Sequence, residues 1–215
     1  MVSPPSFCCE LLTWCAVQHL ARELAFKILA SRYHPDLIVA IGRGGYVPAR
    51  LVADYLQISQ LTTIKIEHYT MGAQRRRWAS IRYPLKVAIA GMKVLIVDDV
   101  NDTGETLALA SKHLAMHNPR ENRTAVLHHK TVSHLQPDFA ARRIIKWRWL
   151  IYPWAVIEDL TGFLSRMDNR PTSPTKVVRR FERDYGIKVS LVMAQDLLDL
   201  LPRPGLPPAG GCFPG

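Results

Sequence analysis

The chain has 215 residues, of which 48% are apolar and 21% are charged. This composition suits a globular domain with a buried core, alone or with a small appendage, and excludes a disordered or fibrous protein. Lysine and arginine outnumber aspartate and glutamate by 28 to 18, so the net charge is +10. Such an excess favours an anionic partner: nucleic acid, a membrane surface or a phosphorylated small molecule.

The cysteines and the N-terminal segment argue against a secreted or membrane protein. The four cysteines include no CxxC pair, so neither a disulfide scaffold nor a zinc site of that kind is expected. No basic segment precedes an uninterrupted apolar run at the N-terminus, and no apolar run is long enough to span a bilayer. We therefore expect a reduced, soluble, cytoplasmic protein.

Predicted helices and strands alternate along the first two thirds of the chain. Two apolar runs, 37–41 and 94–97, are rich in β-branched residues, as in strands that are buried on both faces. The connections are long enough for parallel pairing, so we predict an α/β fold with a mainly parallel, twisted sheet flanked by helices. In chain order the predicted elements are a helix over 10–32, a strand over 37–41, a helix over about 47–56, strands over 61–67 and 94–97, a helix from about 105, and strands over 124–128 and 149–152.

The segment 68–92 has no clear period and contains Arg75, Arg76 and Arg77. It is predicted to be a long exposed loop or hairpin, and long loops within compact domains are usually functional. The sequence leaves open whether the three arginines are solvated or contact a bound anion.

The last quarter of the chain differs in pattern. Two amphipathic helices are predicted over 176–184 and 191–201, and the proline- and glycine-rich tail is expected to be non-helical. The predicted division is a main domain over 1–160, a small helical appendage over 161–201 and a tail over 202–215.

Three polar clusters follow predicted strands: Gly42–Gly45, Asp98–Thr106, and Lys130 with Trp149. In open parallel sheets, ligands bind beyond the carboxyl ends of the strands, so the clusters are candidates for one site.

The cluster from Asp98 to Thr106 carries the most specific chemistry. A Thr-Gly turn opens a helix there, and the backbone N–H groups of such a turn can converge on a phosphate, which Gly104 lets approach closely. Asp98 and Asp99 would repel a phosphate and instead suit sugar hydroxyls or a hydrated Mg²⁺. The residues themselves therefore predict a site for a ribose 5-phosphate with Mg²⁺.

The segment Val94–Gly104 resembles the phosphoribosyl-pyrophosphate (PRPP) signature of the type I phosphoribosyltransferases, with four apolar residues, two acids, two variable residues and Asp-Thr-Gly. Pro35–Gly45 resembles the pyrophosphate loop of that family. Lys130 and the run Trp149–Trp154 resemble its 6-oxopurine branch, particularly the bacterial xanthine–guanine and archaeal members. The resemblance covers about residues 10–160 and implies the type I phosphoribosyltransferase fold, with 68–92 as a flexible hood loop.

Family roles transfer to this chain by position. The resemblance implies that Asp102 is the catalytic acid or base near N7 of a purine, and that Asp98 and Asp99 hold the ribose hydroxyls and, through water, the metal. It also implies a pyrophosphate loop at Arg43-Gly44, where the family often has a non-proline cis peptide. The resemblance further implies that the 5′-phosphate is bound by Asp102, Thr103, Gly104, Glu105 and Thr106. For the base, it implies that Lys130 contacts the 6-oxo group, that Trp149 stacks on the ring and that Leu150 contributes backbone groups.

The implied activity is Mg²⁺-dependent transfer of the phosphoribosyl group from PRPP to a purine base, with a 6-oxopurine favoured. Pyrophosphate leaves and a nucleoside monophosphate forms, as in purine salvage. The hood would exclude water from an oxocarbenium-like centre, and Mg²⁺ would neutralise the leaving group. The implied partners are PRPP and a purine in a homo-oligomer, a dimer being favoured, with no nucleic acid and no membrane.

Two positions depart from the family pattern. Ala155 stands where related sequences commonly have an acid that serves a second metal, and Glu158 and Asp159 are the nearby candidates to replace it. Thr131 follows Lys130 where relatives often have proline. Both changes lie on the base and metal side, so an adenine-using enzyme remains open.

Two other functions also remain open. The net charge and the two C-terminal helices, similar to a helix-turn-helix, suit a regulator that binds PRPP and nucleic acid, whereas Asp102 and Lys130 favour an enzyme. The other alternative is a transferase for a pyrimidine.

Several remaining residues are expected to have structural roles. His113 and His117 are spaced for a metal on a helix but lack a third ligand, and His128 and His129 are predicted to be structural. Trp154 is expected to pack in the core.

The basic cluster Arg142, Arg143, Lys146 and Arg148 is a solvated face or, alternatively, an RNA-binding patch.

Overall fold

The computed structural model describes residues 7–70 and 77–201. Contacts divide the chain into two compact units. The first, here called the sheet unit, is Trp14–Trp147; the second, here called the terminal unit, combines Met1–Thr13 with Arg148–Gly215. This division falls at residue 147, whereas the sequence predicted a domain boundary at residue 160.

The sheet unit has a six-stranded sheet in the described part of the chain, with strand order β4-β3-β2-β5-β6-β7. Only β3 and β4 pair antiparallel; the other neighbours are parallel. The predicted α/β class with a mainly parallel sheet is therefore confirmed. Its elements are α1 (Trp14–Ala30), β2 (Leu37–Gly42), α2 (Tyr46–Leu56), β3 (Leu61–Thr70), β4 (Arg77–Tyr83), β5 (Lys93–Asn101), α3 (Glu105–Ala115), β6 (Glu121–Lys130) and β7 (Phe139–Ile144).

The central strands are apolar because both of their faces are covered. All six residues of β2 are buried. Val39 and Ile41 share a core cluster with Leu107 of α3, and Ile38 lies on the opposite face of the strand because side chains alternate. Helices α1 and α2 supply further contacts to the strands. The sheet is thus held between helices. The loops that follow β2, β5 and β6 lie at the carboxyl ends of these parallel strands.

The segment predicted as a loop or hairpin is in part a hairpin. Strand β4 pairs with β3, while residues 71–76, including Arg75 and Arg76, lie outside the described residues. Arg77 begins β4. The expectation that the whole segment is exposed was wrong at Leu85 and Ile89, which are buried in the sheet-unit core.

The terminal unit contains a second, two-stranded parallel sheet. Strand β1 (Cys9–Leu11) pairs with β8 (Trp149–Ile151), and three helices follow, α4 (Val156–Ser165), α5 (Pro174–Tyr185) and α6 (Leu191–Leu200). The predicted strand at 149–152 therefore exists but is not part of the main sheet. The predicted first helix begins at Trp14 rather than residue 10 because β1 precedes it. The core of this unit includes the fully buried Phe181 and Leu160.

Strand β7, an edge strand, was missed from the sequence. Its burial alternates only in part, since Arg142 and Arg143 are exposed in its second half and weaken the strand pattern. Their exposure agrees with the solvated face predicted for this cluster. The Lys27 ammonium from α1 donates to the carbonyl oxygens of Ala140 and Ala141 at 2.8 and 2.7 Å, which covers part of the edge.

The positive charge is concentrated on the sheet unit. Residues 14–147 contain 19 lysines and arginines against 10 aspartates and glutamates, which is +9 of the chain's +10. Within the described residues, no helix combines the length and the apolar character that crossing a membrane requires.

Candidate functional site

The loop after β2 makes a close turn into α2. The peptide bond between Gly42 and Arg43 is cis. Gly45 N–H donates to the carbonyl of Ile41 at 2.8 Å. A Cβ on Gly45 would lie 2.4 Å from the carbonyl oxygen of Val97, so no side chain fits there. The loop thus packs against the end of β5, while Arg43 remains exposed.

The acid pair at the end of β5 lies next to this loop. Asp98 is buried, and its Oδ1 accepts the N–H of Asp99 at 2.9 Å. A Cβ on Gly44 would lie 2.5 Å from Oδ2 of Asp99, so that carboxylate packs against the glycine backbone. Burial and the negative charge of Asp99 raise the pKa of Asp98 well above its usual value. The structure therefore brings two predicted site segments together.

The turn that opens α3 has the geometry of an anion cradle. Gly104 has a φ of 98°, a left-handed conformation that glycine adopts readily, and α3 begins at Glu105. Gly104 occupies the N-cap position and has no side chain that could cap the helix, and the hydroxyl of Thr103 accepts the N–H of Glu105 at 3.4 Å. Thr103 is exposed beside this turn and Thr106 is half-buried. The residues predicted to bind a 5′-phosphate therefore form one continuous turn.

Lys130 and Asp102 meet at the ends of neighbouring strands. In the register of β5 and β6, Asn101 is opposite His129, so Asp102 and Lys130 leave their strands side by side. The Lys130 ammonium donates to Oδ2 of Asp102 at 2.8 Å. The Lys130 side chain is 5% exposed and that of Asp102 is 39% exposed. This lysine is thus a buried group in the predicted site and not a surface lysine.

Trp147 contacts the same lysine. The Lys130 Nζ lies 4.7 Å from the centroid of the Trp147 ring, a cation–π distance. Trp147 as a whole residue is 42% exposed. Sequence reasoning missed Trp147; its only signal was an aromatic residue two positions before Trp149.

Two of the predicted base-binding residues, Trp149 and Leu150, belong to the terminal unit. The Trp149 ring lies 6.3 Å from both Phe7 and Phe163 at tilted and edge-on angles, as in a packed core. Leu150 is buried and pairs with Glu10 in the two-stranded sheet. The packing of Trp149 agrees with a structural role, and its stacking on a base stays a prediction.

Ala155 and Asp159 occupy the first turn of α4. Ala155 is the N-cap residue, and the N–H of Asp159 donates to its carbonyl at 2.9 Å. Burial raises the pKa of Asp159 to about 6, and the Trp149 side chain opposes that rise. The Trp149 Nε1 is nevertheless buried without a hydrogen bond of normal geometry to the described residues, so this interaction with Asp159 is weak.

Trp154 stacks on Tyr152 with ring centroids 4.8 Å apart and an angle of 14°. Trp154 is only half-buried and packs against this neighbouring ring, so the prediction that it lies in the core was wrong. His113 and His117 also contact each other, at 5.1 Å between ring centroids, and Nε2 of His113 accepts the N–H of Leu85 at 3.1 Å. That hydrogen bond gives His113 a structural role.

The residues fit a magnesium ion that is shared with a substrate. Within 7–70 and 77–201, no group of three or more histidine, cysteine or acidic side chains could hold a metal by itself. Asp99 supplies carboxylate oxygens against Gly44 of the glycine loop, and the carboxyl group of Asp98 precedes it in β5. Mg²⁺ is usually held by one or two carboxylates together with water and substrate phosphates, so this donor set suits it.

Taken together, the glycine turn, the acid pair, the cradle-like turn and the buried lysine define an α/β protein whose site suits a phosphorylated sugar and Mg²⁺. The chain belongs to the phosphoribosyl transferase domain family, whose model matches residues 9–159. This match confirms the resemblance of the Val94–Gly104 signature.

Named relatives are similar over most of their length. The crystal structure of a purine phosphoribosyltransferase from Pyrococcus horikoshii is 31% identical, with a TM-score of 0.60, over 68% of this chain and 93% of that chain. A xanthine-guanine phosphoribosyltransferase from Ruegeria sp. (strain TM1040) is 29% identical over 66% of this chain and 83% of its own length. A hypoxanthine-guanine phosphoribosyltransferase from Saccharomyces cerevisiae is 26% identical over 67% and 85%.

Proposed function

We propose that the protein is a phosphoribosyltransferase that transfers the phosphoribosyl group of PRPP to a 6-oxopurine base and releases pyrophosphate. The observation that carries this proposal is the ion pair of Lys130 and Asp102, 2.8 Å apart, beside a phosphate-type turn. The named relatives act on purines, which supports the same class of acceptor.

The ion pair matches one edge of a 6-oxopurine. O6 and N7 lie side by side on that edge, so a lysine that donates to O6 and a carboxylate that accepts a proton from N7 stand next to each other. Adenine carries an amino donor in place of O6, and the Lys130 ammonium would then face another donor. The arrangement therefore favours hypoxanthine, guanine or xanthine over adenine.

Asp102 is the proposed catalytic residue. It holds the proton that N7 of the base gives up or regains as the bond between a purine nitrogen and C1 of the ribose forms. When the base binds, the ion pair between Lys130 and Asp102 is replaced by one contact from Lys130 to O6 and one from N7 to Asp102, so both charged groups keep a partner. Trp147 keeps the Lys130 ammonium beside its ring during that exchange.

The phosphoribosyl group is proposed to lie along the turn from β5 to α3. The backbone of Thr103–Thr106 would bind the 5′-phosphate at the positive end of α3. Asp98 and Asp99 would accept hydrogen bonds from the ribose hydroxyls, and Arg43 and Gly44 would contact pyrophosphate. The +9 charge of the sheet unit supports binding of such an anion.

Magnesium would be held by Asp98 and Asp99 together with substrate oxygens and water. When bound, it supplies neutralisation of the negative charge on the pyrophosphate leaving group. The protein's own contribution is to keep Asp99 against the Gly44 backbone, so that the acid pair and the pyrophosphate loop share one ligand.

Trp149 and Leu150 are proposed as further base contacts on the strength of their family position alone. The transferase domain is proposed to span 1–160, which is supported by a family match that ends at residue 159. Residues 161–201 would then be a helical appendage. A homodimer is the proposed assembly.

A nucleic-acid-binding regulator is a weaker candidate. A recognition helix that contacts DNA needs basic or amide side chains near the phosphates and bases. Helix α6, the second of the two C-terminal helices, contains Asp196 and Asp199 and neither lysine nor arginine, and its one amide, Gln195, donates to Asp199 at 3.0 Å. The acidic helix and the intact base-side ion pair both favour the enzyme.

The test is pyrophosphate release from PRPP with Mg²⁺, measured separately with hypoxanthine, guanine, xanthine, adenine and uracil. We expect turnover with at least one 6-oxopurine, and a loss of about 10²-fold or more in Asp102→Asn. The matched control is Asp54→Asn, since Asp54 forms an exposed pair with Arg50 away from the site. The proposal would be rejected if uracil were the only base that supports turnover, or if none of the five bases did.

A further inference from the structure

We propose that Asn101 and His129 form a buried positioning pair that fixes Asp102 and Lys130 relative to each other and to the phosphate turn. The inference rests on the proposed transferase function, because Asp102 and Lys130 are the base-side residues of that function. Neither Asn101 nor His129 is expected to touch a substrate.

The pair lies directly behind the ion pair. Asn101 and His129 are opposite each other in the register of β5 and β6 and are 2% and 4% exposed. Nδ2 of Asn101 lies 3.1 Å from Nδ1 of His129. Asn101 immediately precedes Asp102, and His129 immediately precedes Lys130. One buried hydrogen bond therefore joins the two strands at the point where the reacting side chains leave them.

Asn101 also holds the loop that follows β6. Its Nδ2 donates to the carbonyl of Leu135 at 2.6 Å, and its Oδ1 accepts the hydroxyl of Ser133 at 3.2 Å. Together with the bond to His129, these contacts use both N–H groups and the oxygen of the amide. Because every polar atom of the Asn101 side chain has a partner, the side chain has one defined orientation.

The same loop packs on the phosphate turn. A Cβ on Gly104 would lie 2.7 Å from Cβ of Leu135 and 2.9 Å from the hydroxyl of Ser133. The N–H of His134 donates to the carbonyl of Thr103 at 3.1 Å. Asn101 is therefore linked both to the lysine strand and to the turn proposed to bind the 5′-phosphate.

A packing role alone would not require these residue types. The end of a buried parallel strand accepts apolar side chains of similar size, and replacing both partners of a buried hydrogen bond by apolar groups can be nearly neutral for stability. A polar pair whose hydrogen bonds are all made also fixes the orientation of its side chains, which apolar contacts do not. Direction matters here because a displacement of about 1 Å at a reacting group lowers rates by about 10²-fold.

The kinetic test compares His129→Leu, His129→Asn and Asn101→Leu with the wild type. His129→Leu removes the acceptor, whereas His129→Asn places an amide oxygen near the position of Nδ1. We expect His129→Leu to raise KM for the purine about tenfold while KM for PRPP stays within about twofold, and His129→Asn to restore most of the loss. Asn101→Leu should raise both KM values because Asn101 also holds the loop.

The double variant Asn101→Leu/His129→Leu leaves no unpaired group between the two strands, although it also loses the Asn101 contacts to Leu135 and Ser133. It should unfold at no lower temperature than Asn101→Leu and still show the raised KM for the purine. A folded His129→Leu with unchanged kinetics, with equal changes in both KM values, or without rescue by His129→Asn would overturn the inference.

A second readout does not depend on turnover. The Lys130 side chain is 5% exposed, and its rate of acetylation by acetic anhydride can be followed by mass spectrometry. We expect labelling of Lys130 to be about tenfold faster in His129→Leu than in the wild type or His129→Asn. Equal labelling rates would overturn the positioning role, whereas absence of nucleotide formation by the wild type would reject only the proposed function.

Discussion

The carboxylate of Asp99 occupies the space that a side chain on residue 44 would need. A Cβ on Gly44 would lie 2.5 Å from Oδ2 and 2.6 Å from Oδ1 of Asp99. Oδ1 of Asp99 also accepts the N–H of Val100 at 2.7 Å, which limits how far the carboxylate can move. The glycine after the cis peptide and the second acid of β5 are therefore sterically coupled, and this contact joins the proposed pyrophosphate and ribose sites.

We expect Gly44→Ala to raise KM for PRPP by about ten- to hundredfold, because the added methyl group displaces the Asp99 carboxylate or the loop. The measurement is the initial rate at saturating purine over a range of PRPP concentrations. Gly162→Ala is the matched control, since its Cβ would meet only the flexible end of Arg166, at 3.3 Å. A Gly44→Ala enzyme with the PRPP dependence of the wild type would show that the contact does not matter for binding.

The turn at Gly104 makes a second prediction. Gly104 has a φ of 98° and a Cβ there would clash with Leu135, whereas Gly186 has a φ of 69° and open space around it. Gly104→Ala and Gly186→Ala therefore share a backbone strain of about 1 kcal/mol, but only the first disturbs the site. We expect Gly104→Ala to weaken PRPP binding at least about tenfold and Gly186→Ala to leave it unchanged, as measured by calorimetric titration with PRPP. Equal effects of the two variants would contradict the proposed phosphate turn.

The sequence predicted the turn that opens α3 and the apolar strands of the sheet because both depend on local order. An apolar strand, two acids and a Thr-Gly turn occupy consecutive positions, so spacing alone indicates their geometry. The pairing of β1 with β8 joins residues about 140 positions apart in the chain, and no local pattern specifies such a partner. For the same reason, the sequence predicts the strand at 149–152 but not its partner.

Side-chain contacts of the site were less predictable than its backbone. The contact of Lys130 with Trp147 depends on how the chain returns after β7, which spacing does not reveal. Asn101 occupies a variable position of the signature, and the sequence predicts only a structural role for His129. The observation that links them is the register of β5 and β6, which only the folded chain provides.

Trp147 is expected to affect the purine rather than PRPP. Its ring lies 4.7 Å from the Lys130 ammonium, and a cation–π contact of this kind is worth about 1 kcal/mol. Trp147→Leu should therefore raise KM for the purine about fivefold, and Trp147→Phe, which keeps an aromatic face, should raise it less. Initial rates at saturating PRPP provide the measurement, with Trp14→Leu as the control because Trp14 is exposed in α1. A larger effect on KM for PRPP than for the purine would contradict this assignment.

The buried His128 predicts how stability depends on pH. Burial, followed by the positive charges of Arg142 and Lys130, lowers the pKa of His128 to about 4 from an ordinary value of 6.5. Below pH 6.5 the unfolded chain binds a proton that the folded chain does not, so this contribution to stability is complete above pH 6.5 and is lost as pH falls toward 4. Between pH 7 and pH 5 the loss from this one group is about 2 kcal/mol.

The test compares urea unfolding of His128→Gln and the wild type at pH 7 and pH 5, because the raised pKa of Asp159 acts in the opposite direction and masks the effect in the wild type alone. Glutamine does not titrate in this range, so the stability difference between wild type and variant should shift by about 2 kcal/mol in favour of the variant at pH 5. His34→Gln, at an exposed position, is the matched control. If the difference between wild type and His128→Gln is the same at both pH values, then His128 is not held neutral by its burial.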